Sequence, residues 1–275
     1  MRWPSRILSA LVVAVLGAQG SVADAQGMPV ATRPVLDEFL GPAGSLPNPD
    51  LWAFDVGTNK KYHWEKGSLQ DYTNAPDNVR LDGNGHLVIQ ARKGGSDSVP
   101  SYTSARMTTR GRMAFPYGVV SARIKFPTGQ GIWSAFWMMG LNYDTVAWPE
   151  CGEIDIMEII NTGTKYHAAL HGPDGSKRGF ELTAKGPIPD LSAGFHKYWV
   201  NRQPNTITIG IDDGALAKFT RDSLKGNSRW TLDQPMFALF NIAVGGDWPG
   251  PPDSSTSFPA TMIIDWFSFE PMAKG

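Results

Sequence analysis

Val119-Val120-Ser121-Ala122-Arg123-Ile124-Lys125-Phe126 alternates in character along its whole length. Val120, Ala122, Ile124 and Phe126 fall on one face, and Val119, Ser121, Arg123 and Lys125 on the other. Side chains of a β-strand alternate with period two, so this run is a strand with one face buried. Outward from it the period recurs. Residues 206–211 place Ile207, Ile209 and Ile211 inward, and residues 84–91, 237–244 and 261–269 are further β-rich runs. Asp82-Gly83, Asp212-Asp213-Gly214 and Gly245-Gly246 supply turn signals between them. No helix-period segment is long enough to cover a parallel sheet. Residues 187–191 and 223–226 are expected to hold short helical turns only, and residues 26–50 an irregular lead-in. The expected fold class is all-β, a sandwich of two antiparallel sheets, with a barrel as its competitor.

The chain has 275 residues, 41% of them hydrophobic, and no low-complexity linker breaks residues 34–271. One domain over residues 26–275 is expected. Basic and acidic residues balance at 25 and 26, which argues against nucleic acid or an anionic membrane as main partner. Neutral sugar polymers stay open, and 10 Trp suit a carbohydrate-binding surface. Arg2 and Arg6 precede a mostly apolar stretch over residues 7–17, and Ala23-Asp24-Ala25 supplies a small-x-small cleavage pattern. Residues 1–25 therefore read as a signal peptide, with a mature start at Gln26, no stable membrane association and secretion as the expected destination. The single cysteine, Cys151, allows no intramolecular disulfide and reads as a small buried hydrophobe.

Chemistry concentrates in Glu153-Ile154-Asp155-Ile156-Met157-Glu158. Glu153 and Asp155 share one strand face, with Ile154 and Ile156 on the other. Glu158 is out of phase by one residue. A β-bulge near Ile156-Met157 restores its phase and brings all three acids to one face. Without a bulge the carboxylate of Glu158 would enter the apolar layer, a costly place for a charge. Crowded acids raise at least one pKa, as a general acid at neutral pH requires. Taken bare, the spacing is equally that of a calcium-binding or solvated acidic strand.

This segment resembles the active-site signature of glycoside hydrolase family 16, in the bulged form of its laminarinase-like members. Ordered matches continue through Asp37-Glu38-Phe39, Gly85-His86-Leu87, Thr103-Ser104-Ala105-Arg106 and Gly129-Gln130-Gly131-Ile132-Trp133. They run on through Ala135-Phe136-Trp137-Met138, Trp148-Pro149, Leu170-His171-Gly172, Asn241-Ile242-Ala243-Val244-Gly245-Gly246 and Asp265. The resemblance implies a β-jelly-roll sandwich with a concave substrate cleft, and retaining endo-hydrolysis of β-1,3-linkages in a laminarin-like β-glucan. A 1,3-galactan, agar-type or mixed-linkage polymer, transglycosylation, and a glucan-binding module without catalysis are the alternatives.

Carried over residue by residue, Glu153 would be the nucleophile, Asp155 its modulator and Glu158 the acid/base. Arg106, Trp133, Trp137, Trp148, His171 and Trp248 would bind substrate. Catalysis would need no cofactor. Glu38 and Asp265 are the candidates for a structural Ca2+, a cation that takes hard oxygen ligands. A monomer acting on a polysaccharide is expected. The chain departs from the family pattern at Ser68, Ser121, Ser134, Arg202 and Asp247, where an acidic residue, Glu, Pro, Trp and Asn are usual.

Overall fold

The computed structural model describes residues 21–23, 27–58, 61, 64–96 and 99–273. Most of the expected signal segment lies outside them. Two large sheets carry the fold. The first has seven strands in the order β15-β14-β13-β12-β19-β10-β4. These are β4 (Ala53–Phe54), β10 (Arg106–Thr108), β12 (Ile132–Gly140), β13 (Glu153–Ile160), β14 (Lys165–Gly172), β15 (Phe180–Pro187) and β19 (Met236–Val244). The second sheet is centred on β16 (His196–Gln203), β11 (Gly118–Lys125), β20 (Ala260–Pro271) and β8 (Leu87–Ser96). Its pairing is antiparallel except at one margin, where β6 (Gln70–Tyr72) runs parallel to β9 (Val99–Ser104).

The alternating strand is β11, with Val120, Ala122 and Ile124 fully buried. Ile207 and Ile209 are buried likewise on β17 (Thr206–Ile211). Between the sheets sits an aromatic cluster. Phe136 of β12 stacks on Phe240 of β19 at 4.6 Å, and Phe267 of β20 meets both edge-on at 6.4 and 6.1 Å. Trp52 packs on Phe267 at 5.1 Å, and its indole N–H donates to Asp37 Oδ2 at 2.8 Å. Each such ring contributes about 1.5–3 kcal/mol by burial, so this cluster clamps one sheet on the other.

Three local expectations are corrected. The lead-in is not wholly irregular: β2 (Pro29–Ala31) and β3 (Val35–Asp37) lie in it, and β3 pairs with β20. Residues 187–191 form no helical turn, because β15 runs through Pro187, residues 188–190 are irregular, and only a tight turn begins at Leu191. The turn expected at 223–226 is a 3-10 helix three residues long, Arg221–Ser223, closed by a Thr220–Ser223 capping box. A further 3-10 turn, Leu141–Asp144, follows β12 directly.

Candidate active site

The bulge in β13 positions the acids. Against β12, Glu158 pairs with Ala135, Met157 with Phe136 and Asp155 with Trp137, leaving Ile156 as the extra residue. The register against β14 shifts at the same place. Ile154, Ile156, Met157 and Ile159 are all buried in the core between the sheets. Glu153, Asp155 and Glu158 therefore share the outer face, as the sequence required.

Register defines the rest of that face. Glu158 pairs with His167 on β14 and Ala135 on β12, Ala135 with Asn241 on β19, and Asn241 with Arg106 on β10. Asp155 lies between Ala169 and Trp137, and Glu153 between His171 and Met139. Alanines beside Glu158 and Asp155 leave the floor low next to the acids. The face is nevertheless recessed: Asp155 is 3% and Glu158 9% exposed. On one side, residues 65–69 and 244–250 are tied together by Leu69 N–H to Val244 O, Asp247 N–H to Lys66 O, and an exposed Lys66–Asp247 ion pair. On the other, the segment after β12 lays Tyr143 over a second apolar cluster of Trp137, Met139 and Phe237.

The electrostatics follow from crowding and burial. Burial, then the charge of Asp155, pushes Glu153 up to about 8, against the pull of His171. Burial and Asp155 also raise Glu158 well above its ordinary value, while the N–H of Trp133, 2.9 Å from Glu158 Oε1, opposes the rise. His171 Nε2 lies 3.0 Å from Asp155 Oδ2. Burial lowers the imidazole pKa, but that hydrogen bond and the three carboxylates outweigh it and lift it to about 10. The acids therefore face an imidazolium throughout neutral pH. Cys151 is buried and pushed up to about 12 by desolvation, so it holds no thiolate nucleophile.

The other predicted residues take distinct places. Trp133 meets Trp248 edge-on at 5.2 Å, and Trp248, 45% exposed, stands on a loop at the rim. Trp148, 40% exposed, lies 6.1 Å from His171 at the opposite end. Trp137 is buried, with its N–H on Asn241 Oδ1 at 2.8 Å. Arg106 is buried as well. Its Nε donates to Asp55 Oδ2 and its NH1 to Glu65 Oε1, both at 3.0 Å, and its guanidinium lies 4.6 Å from the ring of Trp137 and 5.4 Å from that of Trp64. Tyr72 O–H then links Glu65 to Asn241. Asp55, Glu65 and His167 had no signal in the sequence, and Tyr72 belonged to a family match without a role, because only the sheet register and the rim loops bring them here.

A family model of glycosyl hydrolases family 16 matches residues 66–268. The chain belongs to that family. It is similar to a β-glucanase of Rhodothermus marinus, 34% identical over 244 residues covering 84% of this chain and 82% of the relative. Its fold is similar to the laminarinase catalytic domain of Thermotoga maritima, with a TM-score of 0.77, 34% identity, and 87% of this chain and 98% of that one covered. It is also similar to the endo-β-1,3-glucanase of Pyrococcus furiosus, with a TM-score of 0.77, 36% identity, and coverage of 87% and 94%. The protein is thus a glycoside hydrolase with a jelly-roll fold.

Three of the departures from the family pattern are absorbed locally. Ser121 hydrogen-bonds Ser268, and Ser68 Oγ donates to the Glu65 carbonyl. Arg202 is buried and donates to the carbonyls of Phe115, Pro116, Leu232 and Gln234. Nothing in the structure explains Ser134, whose hydroxyl is buried without a partner. The residues named for calcium make a poor cation site by their side chains. Glu38 is exposed, and Asp265 Oδ2 accepts from Arg123 at 2.6 Å while Oδ1 faces His86 at 3.9 Å. Among the described residues the one group of three side-chain ligands is Glu153, Asp155 and His171, which is the acid cluster itself.

Proposed function

We propose that the protein is a secreted, monomeric, retaining endo-β-1,3-glucanase acting on laminarin-like polymers. The observation that carries this reading is the bulged strand that turns Glu153, Asp155 and Glu158 to one recessed face, with Glu158 held by the Trp133 N–H. The family membership and the laminarinase neighbours support the substrate class.

In the first step Glu158, kept protonated by its raised pKa, gives its proton to the glycosidic oxygen as Glu153 attacks the anomeric carbon. Glu153 must be ionised for this. Asp155, paired with the His171 imidazolium, sets the charge that Glu153 feels. In the second step Glu158, now a carboxylate, takes a proton from water, and the water releases the sugar from Glu153. The ring faces of Trp133, Trp148 and Trp248 suit pyranose stacking. Arg106 and Trp137, committed to Asp55, Glu65 and Asn241, hold the floor beside the cut. No step uses a metal. A calcium at Asp265 would draw most of its ligands from backbone carbonyls and would be structural only.

Purified protein lacking residues 1–25 should release oligosaccharides from laminarin and little from agarose or β-1,3-galactan, with lichenan reporting mixed-linkage tolerance. Glu153→Gln should reduce turnover by roughly 10³-fold or more while ligand binding persists. Full turnover by that variant would sink the mechanism, and wild-type binding of laminarin without products would favour a glucan-binding module. N-terminal sequencing of exported protein should begin at Gln26.

A further inference from the structure

The face that carries the acids continues past His167 onto the edge strand β15. His167 pairs with Lys185 in the β14–β15 ladder, and Lys165 is two residues before His167 on β14. Directly opposed residues of a ladder, and residues two apart on one strand, point to the same face. Both lysines therefore stand on the side of Glu158, which pairs with His167. The core side of these strands is taken by Tyr166, Leu182 and Ala184, which pack against the apolar core. Both lysines are exposed, and neither makes an ion pair among the described residues. Trp248 caps His167 edge-on at 4.9 Å, so the lysines begin where the aromatic wall ends.

Lys185 is two strands from Glu158, roughly 10 Å at the usual strand spacing. That places the ammonium groups beyond the sugars at the cut, beside the polymer's path across the sheet. Their fields reach the site: His167 is held below its ordinary pKa by burial first, then by Lys185 and Lys165. The exposed positive charge here is carried by the lysines. Lysine on an edge strand also discourages pairing with another chain. That accounts for Lys185 on β15 but not for Lys165, which lies on the inner strand β14.

We propose that Lys165 and Lys185 form a subsite for an anionic group, a carboxylate or a sulfate ester, borne by the glycan outside the cleaved linkage. The proposal rests on the glucanase reading for the direction of the polymer. It extends the substrate class from neutral β-glucan to substituted, negatively charged chains.

The test compares wild type with the double variant K165Q/K185Q on laminarin, lightly carboxymethylated laminarin and lightly sulfated laminarin. The readout is kcat/KM on each charged polymer relative to the neutral one. Exposed ion pairs are individually weak, so the expected loss in this ratio is about fivefold for the pair. It should vanish at about 0.5 M salt. A loss confined to one charged polymer identifies which anion the site takes. An unchanged ratio on both overturns the proposal, and aggregation of the variant with an unchanged ratio assigns the lysines to edge protection only. If wild type cleaves none of the polymers, the glucanase reading has failed. Gel retardation by the two charged polymers then decides the subsite separately: less retardation of the variant supports it, and equal retardation overturns it.

Discussion

His171 Nε2 sits 3.0 Å from Asp155 Oδ2, which places an imidazolium against the middle one of three acids. The contact joins two neighbouring strands, β13 and β14, through adjacent register positions. It limits how far the crowded acids can drive one another's pKa upward. Opposite charge stabilises a carboxylate, so His171 lowers both Glu153 and Glu158.

The pH profile should show this. Glu153 must lose a proton and Glu158 must keep one, so kcat/KM should be bell-shaped. Burial raises both groups, so the acid limb should lie above the ordinary glutamate range near 4.5 and the alkaline limb higher still. In His171→Gln the counter-charge is gone and the pKa of Glu153 rises further. Its acid limb should move to higher pH. An acid limb in the variant that is unmoved or moves down would contradict the assignment.

Trp133→Phe keeps an aromatic ring, though a smaller one, and removes the N–H that Glu158 Oε1 accepts from at 2.9 Å. A hydrogen bond to a charged group contributes about 1.5–3 kcal/mol, so kcat should fall about tenfold or more. Without the donor the carboxylate is less stabilised, and the alkaline limb should move up. Steady-state kinetics across pH separates this from a loss of stacking, which would raise KM alone.

The bulge makes two neighbouring deletions behave differently. Removing Ile156 leaves one apolar residue between Asp155 and Glu158 and makes the pairing one-to-one. All three acids stay on the outer face, so the variant should fold, with a cost of about 2–5 kcal/mol for the lost buried side chain, and retain some hydrolysis. Removing Ile154 instead turns Glu153 into the core, and turnover and cooperative folding should both be lost. Thermal melts and laminarin hydrolysis check the contrast.

Gly140 closes β12 where its Cβ position would overlap the carbonyl oxygen of Cys151. Its N–H also donates to Gly152 O at 3.0 Å, and Gly152 itself holds φ +74° just before Glu153. Gly140→Ala should push the entry of β13 outward. Stability should fall by about 1–3 kcal/mol from the overpacking, and kcat should fall more than KM changes, because the shift is delivered to Glu153. A variant with wild-type kcat and melting temperature would show that the segment relaxes freely.

Much of this protein is legible in its sequence for a simple reason: strand periodicity is local. Val120, Ala122 and Ile124 declare their face through neighbours two residues away, and the misphased Glu158 requires a bulge by strand phase alone. The ordered family motifs named the three acids. Partners brought from distant segments were not legible. Asp55 and Glu65 on Arg106, Tyr72 on Asn241, and His167 beside Glu158 depend on which strands become neighbours and in what register. The same reason explains Arg106 and Trp137. Sequence could assign them to the substrate face, but only the tertiary structure shows their polar groups already taken by Asp55, Glu65 and Asn241. Sequence thus determined which groups can react, since that is a property of residue type and strand phase. Tertiary structure decided how those groups are charged and held, because burial and through-space charge arise only when the sheets close over them.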